Sequence, residues 1–450
     1  MVSKRTQELI QTDREAIIPN MGIVGQNIGF IIEEAHGIYL VDTEGKKYID
    51  FSSQVVCCNL GHRRQELIDA MIAAMNKIDY VTRFYGMSNV YVIELARKLS
   101  KITPGNLKHF FFVSGGSEST DSAMKIARLY WSNKGMTGKY KIISLYDSYH
   151  GSGGLSTYAS GISGGVMRNS FGPEPIGFIR VPSYYSYRSM FGDLPDSGLM
   201  SARFLEQVIQ AEGPASIAAF IAEPMLGAGG AIEPPPKWWP MVAKICKEYG
   251  ILLIVDEVKS GFGRSGKMFA SEYWNLKPDI MTMSKAITNA VMPLGAVAIS
   301  DEVYAGLQGK MFPHGFTFGG HTLSCAVACA ALDIYERDKV VENAAKVGNH
   351  IKQRLEAEFM PLPCVGDIDG HGVFQSMELV NDKRSKTPID RDDIKTLEQK
   401  LLYNGIFTKI EGRLNNRMLF CPPCVITVEE ADKAIDIIKP LVAELKPRKT

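Results

Sequence analysis

Short apolar runs alternate with amphipathic stretches through the middle of the chain. The apolar runs are HFFFVSGG, KYKIISLY, IAAFIAEP, GILLIVDE and LGAVAISDEVY, and helical spacing is clearest in STDSAMKIARLYW and KWWPMVAKICKEYG. This alternation is typical of βα units whose strands form a mostly parallel sheet buried on both faces. The pattern therefore predicts an α/β protein, in which ligands bind at the carboxyl ends of the strands.

The two ends of the chain carry a different pattern. The segment GIYLVDTEGKKYIDFSS predicts a hairpin with Glu44-Gly45 at its turn, and a long helical stretch after residue 330 leads to shorter strands and a last helix. A chain of 450 residues also exceeds what one hydrophobic core usually serves. We therefore predict a large domain over residues 61–330 and a smaller α+β domain built from residues 1–60 and 331–450. The Gly- and Pro-rich GISGGVMRNSFGPEPIGF predicts a surface loop.

Charge and composition narrow the class of partner. Lys and Arg total 50 against 49 for Asp and Glu, so no overall field favours nucleic acid or an acidic membrane. No segment has the length and apolar character of a signal peptide or a membrane span. Eight Cys residues without regular spacing fit reduced thiols. These features predict a cytoplasmic protein whose charge recognition is local.

Two pairs of Cys residues have spacings that occur in metal sites or along one face of a helix. Cys421 and Cys424 have the spacing of a metal knuckle, but no second Cys or His pair complements them, so buried thiols and no metal are expected. Cys325 and Cys329 are one helical turn apart among small apolar residues, which predicts helix packing.

Candidate chemistry begins with VDEVKSGFGRSG and, further on, PDIMTMSK, which place Asp256 and Lys285 after predicted strands. A Lys among small and apolar residues loses its proton more readily than a solvated one, which favours Schiff-base chemistry. A carboxylate at the end of a sheet can pair with a protonated pyridine nitrogen, and Val258 can cover a ring face. Taken singly, Lys285 could be a surface lysine, Asp256 a helix cap or ion-pair residue, and Val258 ordinary packing.

Two further segments suggest how a phosphorylated ring could be held. In VSGGSESTDSAMKIAR a strand ends at Gly115, Gly116 and Ser117, and a helix is expected to begin near Ser119 or Thr120. Glycines before a helix start permit an anion to approach free amides, although they could equally form only a turn. Downstream, SLYDSYHG places Tyr149 and His150 after another strand, where an aromatic face could stack on a planar cofactor or simply lie at the surface.

These linked motifs closely resemble those of the class III, or omega, aminotransferases of the type I fold that depend on pyridoxal 5′-phosphate (PLP), and the resemblance covers nearly the whole chain. It implies that Lys285 carries PLP as a Schiff base and moves protons, and that Asp256 pairs with the pyridine nitrogen. It also implies that Val258 and Tyr149 cover the two ring faces. Gly116 and Ser117 would hold the phosphate.

The resemblance also implies assembly and substrate contacts. Thr317 in PHGFTFGGH would complete the phosphate site of another subunit, which makes a homodimer with shared sites necessary, and pairing of dimers into a tetramer stays open. Glu223 in AEPMLGAGG would face the substrate side. An amine donor and a 2-oxo acid acceptor would react in turn by a ping-pong mechanism.

Departures from the family pattern bear on the substrate. Ser119 and Thr120 stand where relatives usually have Ala-Asn, so similar rather than identical phosphate contacts are expected. The small residues of QVVCCNLGH, where some amine-specialised relatives have Trp, indicate that the pocket is not built for bulky aryl amines. Arg83 and Tyr85 in TRFYG lie in a region that lines the site across the dimer in relatives. Arg there could clamp a carboxylate or sulfonate.

The carboxylate-binding Arg found near the C-terminus of many relatives has several candidates here. Lys409 stands at the simplest alignment position, Arg413 is the preferred counterpart and Arg417 the second, and each could be a solvated loop charge. The expected donor is a small omega-amino acid or amino-sulfonate such as β-alanine or taurine, with pyruvate or 2-oxoglutarate as acceptor.

Other outcomes of the same residues remain open at this point. An amino-acid racemase, epimerase or lyase on the same fold is the nearer alternative, and a non-enzymatic regulator is the more distant one. No basic patch supports a DNA-binding regulator. A dehydrogenase is excluded because no G-x-G-x-x-G lies between an early strand and helix.

Overall fold

A computed structural model describes residues 2–26, 29–162 and 166–446 of the chain. The strands, in chain order, are β1 (Ile32–His36), β2 (Tyr39–Asp42), β3 (Lys47–Asp50), β4 (Leu107–Val113), β5 (Lys141–Leu145), β6 (Phe178–Val181), β7 (Ile217–Ala222), β8 (Leu252–Asp256), β9 (Ile280–Met283), β10 (Gly295–Ser300), β11 (Val365–His371), β12 (Phe374–Asp382), β13 (Thr387–Pro388), β14 (Ile406–Phe407), β15 (Ile410–Glu411) and β16 (Arg417–Phe420).

The helices in the same ranges are α1 (Lys4–Ala16), α2 (Ser53–Val56), α3 (Gln65–Met75), α4 (Val90–Ile102), α5 (Gly116–Asn133), α6 (Gly154–Ala159), α7 (Val166–Asn169), α8 (Ser197–Glu212), α9 (Trp238–Glu248), α10 (Asp301–Leu307), α11 (Thr322–Arg337), α12 (Val340–Arg354), α13 (Arg391–Tyr403) and α14 (Val428–Ala443). Short 3-10 turns cover Pro214–Ser216, Ala270–Trp274 and Lys285–Thr288, and a π-helical turn covers Leu355–Phe359.

The seven-stranded central sheet has the strand order β4-β10-β9-β8-β7-β5-β6. Five adjacent strands, from β9 to β6, run parallel, and only β10 is antiparallel to both of its neighbours. Leu253 and Val255 pack with apolar residues of α8 and α9, whereas Ile254 packs on the opposite face with residues of α5. The sheet is therefore covered by helices on both faces, which confirms the predicted α/β fold with its mostly parallel sheet.

The two ends of the chain meet in a second sheet of order β1-β2-β3-β14. The predicted hairpin is confirmed, because β2 pairs with β3 antiparallel and the Asp42 carboxylate accepts hydrogen bonds from the backbone N–H groups of Glu44 and Lys46, both at 2.9 Å. Strand β3 then pairs in parallel with β14. Residues from both chain ends thus share one sheet, while the domain boundaries at 60 and 330 stay predictions.

The C-terminal region forms a third sheet, of order β11-β12-β16-β15, with β13 paired to β12. The long helical stretch predicted after residue 330 is helical in the structure, but it is interrupted once. It divides into α11 and α12, because Lys339 adopts a left-handed backbone with φ +51° that no α-helix can include. The predicted last helix is confirmed as α14.

The eight Cys residues are all unpaired. Cys325 and Cys329 are buried on α11, as predicted, and Cys421 and Cys424 are buried just after β16. Within the described ranges no three His, Cys, Asp or Glu side chains are grouped as metal ligands would be. In these ranges no helix combines the length and the apolar character needed to cross a bilayer. Residues 163–165 of the predicted loop GISGGVMRNSFGPEPIGF lie outside the described residues, and the described part of this segment contains the short helix α7.

Candidate active site

A cavity of about 200 Å³ lies where several strands of the central sheet end. Seven residues predicted for the site line it, namely Gly116, Ser117, Tyr149, Glu223, Asp256, Val258 and Lys285, and Val55, His150, Gly151 and Lys259 complete the lining. Asp256 is the last residue of β8, and Glu223 and Lys285 follow the ends of β7 and β9. The parallel strands bring these residues together because their carboxyl ends lie at one edge of the sheet.

Lys285 is held on a strained backbone. It opens a 3-10 turn with φ +52°, a left-handed conformation that costs a non-glycine residue about 1–3 kcal/mol and that clusters at functional sites. Burial lowers the pKa of the Lys285 ammonium, and Lys259 lowers it further, although Cys57 and Asp256 act in the opposite direction. A lysine in this setting supplies a neutral, nucleophilic amine more readily than a solvated one.

The Asp256 carboxylate is fixed by three hydrogen bonds. Its Oδ1 accepts from the Val258 N–H at 3.1 Å and from the Thr282 hydroxyl at 2.9 Å, and its Oδ2 lies 2.7 Å from Nδ1 of His150. Because a carboxylate has about four lone-pair positions, one remains available for a donor in the cavity. His150 Nε2, on the far side of the ring, is buried without a partner in the described residues.

Helix α5 points its first turn at the same cavity. It begins at Gly116, so the predicted start near Ser119 or Thr120 is wrong. Gly115, directly before the helix, is extended, with φ −172°. The Glu118 carboxylate in the first turn accepts a hydrogen bond from the Ser114 N–H at 2.7 Å. The first turn can therefore begin at Gly116. Among the described residues no side chain caps the helix, so its first amides are available to an anion.

Glycine is required at position 116 by its neighbour. A Cβ atom there would lie 2.8 Å from Cγ1 of Val258, closer than side chains tolerate. The Ser117 hydroxyl accepts a hydrogen bond from the Ser152 N–H at 3.0 Å, which fixes it beside the start of the helix.

Glu223 is a buried carboxylate beside Tyr149. Its Oε2 accepts from the Tyr149 N–H at 3.0 Å and its Oε1 from the Gly227 N–H at 2.8 Å. Burial raises the pKa of Glu223 to about 7, with Asp256 adding to the rise and His150 opposing it. The carboxyl group can therefore gain or lose a proton near neutral pH.

The structure adds a residue pair that sequence reasoning missed. Lys259 lines the cavity, and its Nζ donates to Glu411 Oε1 at 2.6 Å. Lys259 stands directly after Val258 in the motif VDEVKSG, so its place in the motif was a usable signal. Its partner Glu411 lies 152 positions away and carried no such signal.

Four predicted residues are absent from the lining of this cavity, namely Arg413, which is described below, and the three that follow here. Thr317 is exposed, and its carbonyl accepts a hydrogen bond from the Tyr80 hydroxyl at 2.6 Å. Arg83 and Tyr85 line a separate cavity of about 560 Å³ beside Phe84 and His314. None of the three reaches Lys285 within one chain.

The C-terminal cation candidates occupy three different settings. Arg417 is 1% exposed and binds Glu378, Asp367 and Tyr185 in a buried network, so this second choice for a substrate residue is fully engaged by the protein. Lys409 is exposed and lies 5.1 Å from the Phe407 ring centroid. The third candidate, Arg413, is partly exposed, and its Nε lies 3.7 Å from Asp147 Oδ1, two residues before Tyr149.

The residues of the cavity fit PLP. An amine on Lys285, a fixed buried carboxylate with a free acceptor position, and uncapped amides at a helix start match its aldehyde, its ring nitrogen and its phosphate. Because residue 116 is a glycine, the space between the helix start and Val258 stays open, whereas a larger residue would fill it. When bound, PLP supplies an electron sink for the bonds of an amine carbon.

Comparison with known proteins gives the family. The family model described as aminotransferase class-III matches residues 22–442. Similar proteins include the putrescine–pyruvate aminotransferase of Pseudomonas aeruginosa, 34% identical over 91% of this chain and 89% of that protein, and the diaminobutyrate–2-oxoglutarate transaminase of Halomonas elongata, 32% identical over 91% and 89%.

A solved structure similar to this chain is an (S)-enantioselective omega-transaminase from Thermomicrobium roseum, with a TM-score of 0.92 and 36% identity over 97% of this chain and 98% of that one. These neighbours have the type I PLP fold. The racemase, epimerase and lyase alternatives are not favoured, because the relatives are aminotransferases. The chain belongs to the class-III aminotransferases and is a PLP-dependent enzyme that transfers amino groups from amines to 2-oxo acids.

Proposed function

We propose that the donor is a small molecule with a terminal amine and an anionic group, either an omega-amino acid such as β-alanine or an amino-sulfonate such as taurine. The observation that carries the small size of this donor is the volume of the Lys285 cavity, about 200 Å³, which leaves little room for a bulky donor beside the cofactor. Two similar proteins are named for donors of this class, diaminobutyrate and gamma-aminobutyrate, whereas a third is named for putrescine, a short diamine without an anionic group. Pyruvate or 2-oxoglutarate is the proposed acceptor.

The roles proposed for the cavity residues follow from their positions. Lys285 holds PLP and then moves a proton at the substrate carbon, and the fixed Asp256 carboxylate keeps the ring nitrogen protonated. Tyr149 and Val258, which line the cavity, would cover the two faces of the PLP ring. Gly116 and Ser117 hold the phosphate through the first turn of α5. Glu223 faces the substrate.

Arg413 is the proposed rim cation for the acceptor. Its distance of 3.7 Å from Asp147 supports a position beside the cavity wall that carries Tyr149. A guanidinium held by one carboxylate at the rim can exchange it for the carboxylate of a 2-oxo acid.

We propose a homodimer in which Thr317, Arg83 and Tyr85 serve the partner's cavity. Support comes from the exposed apolar residues around them, since Tyr85 is 93% exposed and Phe84, Met87 and Phe318 are exposed too. Contiguous exposed apolar surface of this kind marks association sites. We also propose a cytoplasmic location, which the unpaired cysteines support.

The donor proposal is tested by the absorbance of the PLP-loaded enzyme. We expect β-alanine or taurine to bleach the visible band of the bound cofactor and pyruvate or 2-oxoglutarate to restore it. Benzylamine, a bulky aryl amine, is expected to act more slowly. A faster response to benzylamine than to both anionic donors would contradict the proposed donor class.

The shared site is tested by mixing two inactive variants. Lys285→Ala removes the reactive amine, and Thr317→Asp places a negative charge on an exposed loop where it would repel the phosphate of the partner's cofactor. If sites are shared, each mixed dimer regains one intact site, so an equal mixture recovers about one quarter of wild-type sites. No recovery in verified mixed dimers would mean that Thr317 does not act across subunits.

A further inference from the structure

The wall of the Lys285 cavity carries a second cation, Lys259, to which the roles above give no task. Its side chain is only 10% exposed, and it emerges from the loop that leaves β8 beside Val258. The stem of Lys259 packs on Gly227, where a Cβ atom would lie 2.5 Å from Lys259 Cδ and 2.7 Å from Glu223 Oε1. Gly227 therefore lies between Lys259 and the Glu223 carboxylate. Because it has no side chain, both groups can approach the same part of the cavity.

The Lys259 ammonium has unused hydrogen-bonding capacity. An ammonium carries three N–H donors, and within the described residues Nζ makes a single hydrogen bond, to Glu411 Oε1 at 2.6 Å. Its other near neighbour is the ring of Phe374, 5.9 Å from Nζ to the centroid. Donors left unmade in a largely buried position are costly, and the cavity is where acceptors can reach them.

Lys259 remains charged in this position. Burial disfavours its ammonium, but the charge and hydrogen bond of Glu411, helped by Cys421 and Glu223, outweigh burial and raise the pKa of Lys259 above its ordinary value. The positive charge of Lys259 lowers the pKa of Lys285. The cavity thus has a reactive amine at one position and, at another, an ammonium that Glu411 stabilises.

We propose that Lys259 binds the anionic group of the donor, and that Glu411 is the internal carboxylate that this group displaces or joins. The inference rests on the proposed donor class and assigns its anion to a residue. A short omega-amino acid or amino-sulfonate can present its amine to Lys285 and its carboxylate or sulfonate to Lys259. A diamine would bring a second ammonium against Lys259 and be disfavoured. The lysine therefore sets the charge preference of the donor site.

The test uses the PLP-loaded enzyme and donors of matched size. These are β-alanine and taurine as the anionic donors, n-propylamine as the neutral-tailed donor, and 1,3-diaminopropane as the cationic one. For Lys259→Met, we expect kcat/KM for both anionic donors to fall about tenfold or more relative to n-propylamine, because a charge-assisted hydrogen bond is lost. We expect the value for 1,3-diaminopropane to rise relative to n-propylamine, since Glu411 is then free to accept an ammonium. A fall for only one anionic donor identifies carboxylate or sulfonate as the ligand.

A second variant, at Glu411, is expected to change the binding of anionic donors in the opposite direction. Glu411→Gln removes the competing carboxylate, so the KM for β-alanine or taurine is expected to fall several-fold. A binding measurement without turnover accompanies it, in which calorimetry follows propionate and ethanesulfonate. We expect Lys259→Met to weaken the binding of these anions and Glu411→Gln to strengthen it. The control variant Lys247→Met removes an exposed lysine near the end of α9 and should change none of these ratios.

The outcomes separate two failures. A wild-type enzyme without preference for anionic donors over n-propylamine overturns both the donor class and the role of Lys259. A clear wild-type preference that Lys259→Met leaves intact overturns only the role of Lys259. Parallel losses for all four donors, with propionate binding retained, would show that Lys259 acts as a structural residue and would also overturn the proposal.

Discussion

His150 Nδ1 lies 2.7 Å from Asp256 Oδ2 in a pair that is buried on both sides. The imidazole thus holds the carboxylate that is proposed to face the cofactor ring. We expect His150→Ala to weaken PLP binding about tenfold or more, because the carboxylate loses a hydrogen bond in a buried setting. A cofactor titration followed by absorbance measures it. His109→Ala is the matched control, since His109 also pairs with an aspartate, Asp301, but at the outer end of the sheet. Equal effects of the two variants would contradict a role for His150 at the site.

Adjacent glycines at the start of α5 should respond differently to the same substitution. Gly116→Ala places a methyl group 2.8 Å from Val258 Cγ1, whereas Gly115→Ala meets no atom within 4 Å and keeps an extended backbone. We expect Gly116→Ala to lower PLP affinity and the melting temperature, and Gly115→Ala to leave the melting temperature nearly unchanged. Thermal unfolding and cofactor titration of both proteins check this, and indistinguishable melting temperatures would contradict it.

Stability should depend on pH through Glu223. Its folded-state pKa of about 7 lies above the ordinary value of 4.5, so the folded protein keeps a proton that the unfolded chain releases. The contribution of the protonated carboxyl is fully present below about pH 4.5 and is lost as pH rises through about 7. Glu223→Gln has no ionisable group at this position, so it does not lose this stability as pH rises. The stability of the variant relative to wild type should therefore increase from pH 5 to pH 8, by at most about 3 kcal/mol.

Urea unfolding of the cofactor-free proteins at both pH values measures that difference. Glu248→Gln, at the exposed end of α9, is the control and should give a difference that does not vary with pH in the same direction. A Glu223→Gln difference that shrinks toward pH 8 would contradict the sign of the pKa change.

Asp147 should limit access of the acceptor to Arg413. The two groups lie 3.7 Å apart, and we expect Asp147→Asn to lower the KM for the 2-oxo acid several-fold because a competing carboxylate is removed. Asparagine suits the site, since it tolerates the backbone φ of +69° and can still accept the hydrogen bond from Ser183. Steady-state kinetics with Arg413→Ala and the double variant complete the cycle. A gain that persists in the double variant would exclude Arg413 as its cause.

Substitutions of Arg417 and Arg413 should differ in their effect on the stability of the protein, and not in their effect on catalysis alone. Arg417→Met takes one of two guanidinium partners from the buried Glu378, which keeps Arg188, and takes the cation from Asp367, which together are expected to cost about 3 kcal/mol. Arg413→Ala removes a partly exposed side chain and should cost less than about 1 kcal/mol. Thermal unfolding compares them, and a stable Arg417→Met enzyme with a raised KM for acceptor would reverse the assignment.

The positions of the cavity residues could be predicted because each follows an apolar run that reads as a central strand. Asp256, Glu223 and Lys285 needed only strand ends and parallel pairing to be brought together. The pairs Lys259–Glu411 and Asp147–Arg413 could not be predicted, because each joins segments far apart in sequence whose approach depends on how the C-terminal sheet packs. Local backbone also escaped prediction, since Lys339 gives no sequence signal for its left-handed φ.

The parallel pairing of β3 with β14 has a consequence for biosynthesis. Ile49 is paired in register with Ile406, so the first sheet cannot close until residue 406 has left the ribosome. Val55, which lines the cavity, follows β3 by only a few residues. This wall of the cavity therefore stays incomplete while the central strands fold, and the cavity takes its final form only after synthesis has passed β14.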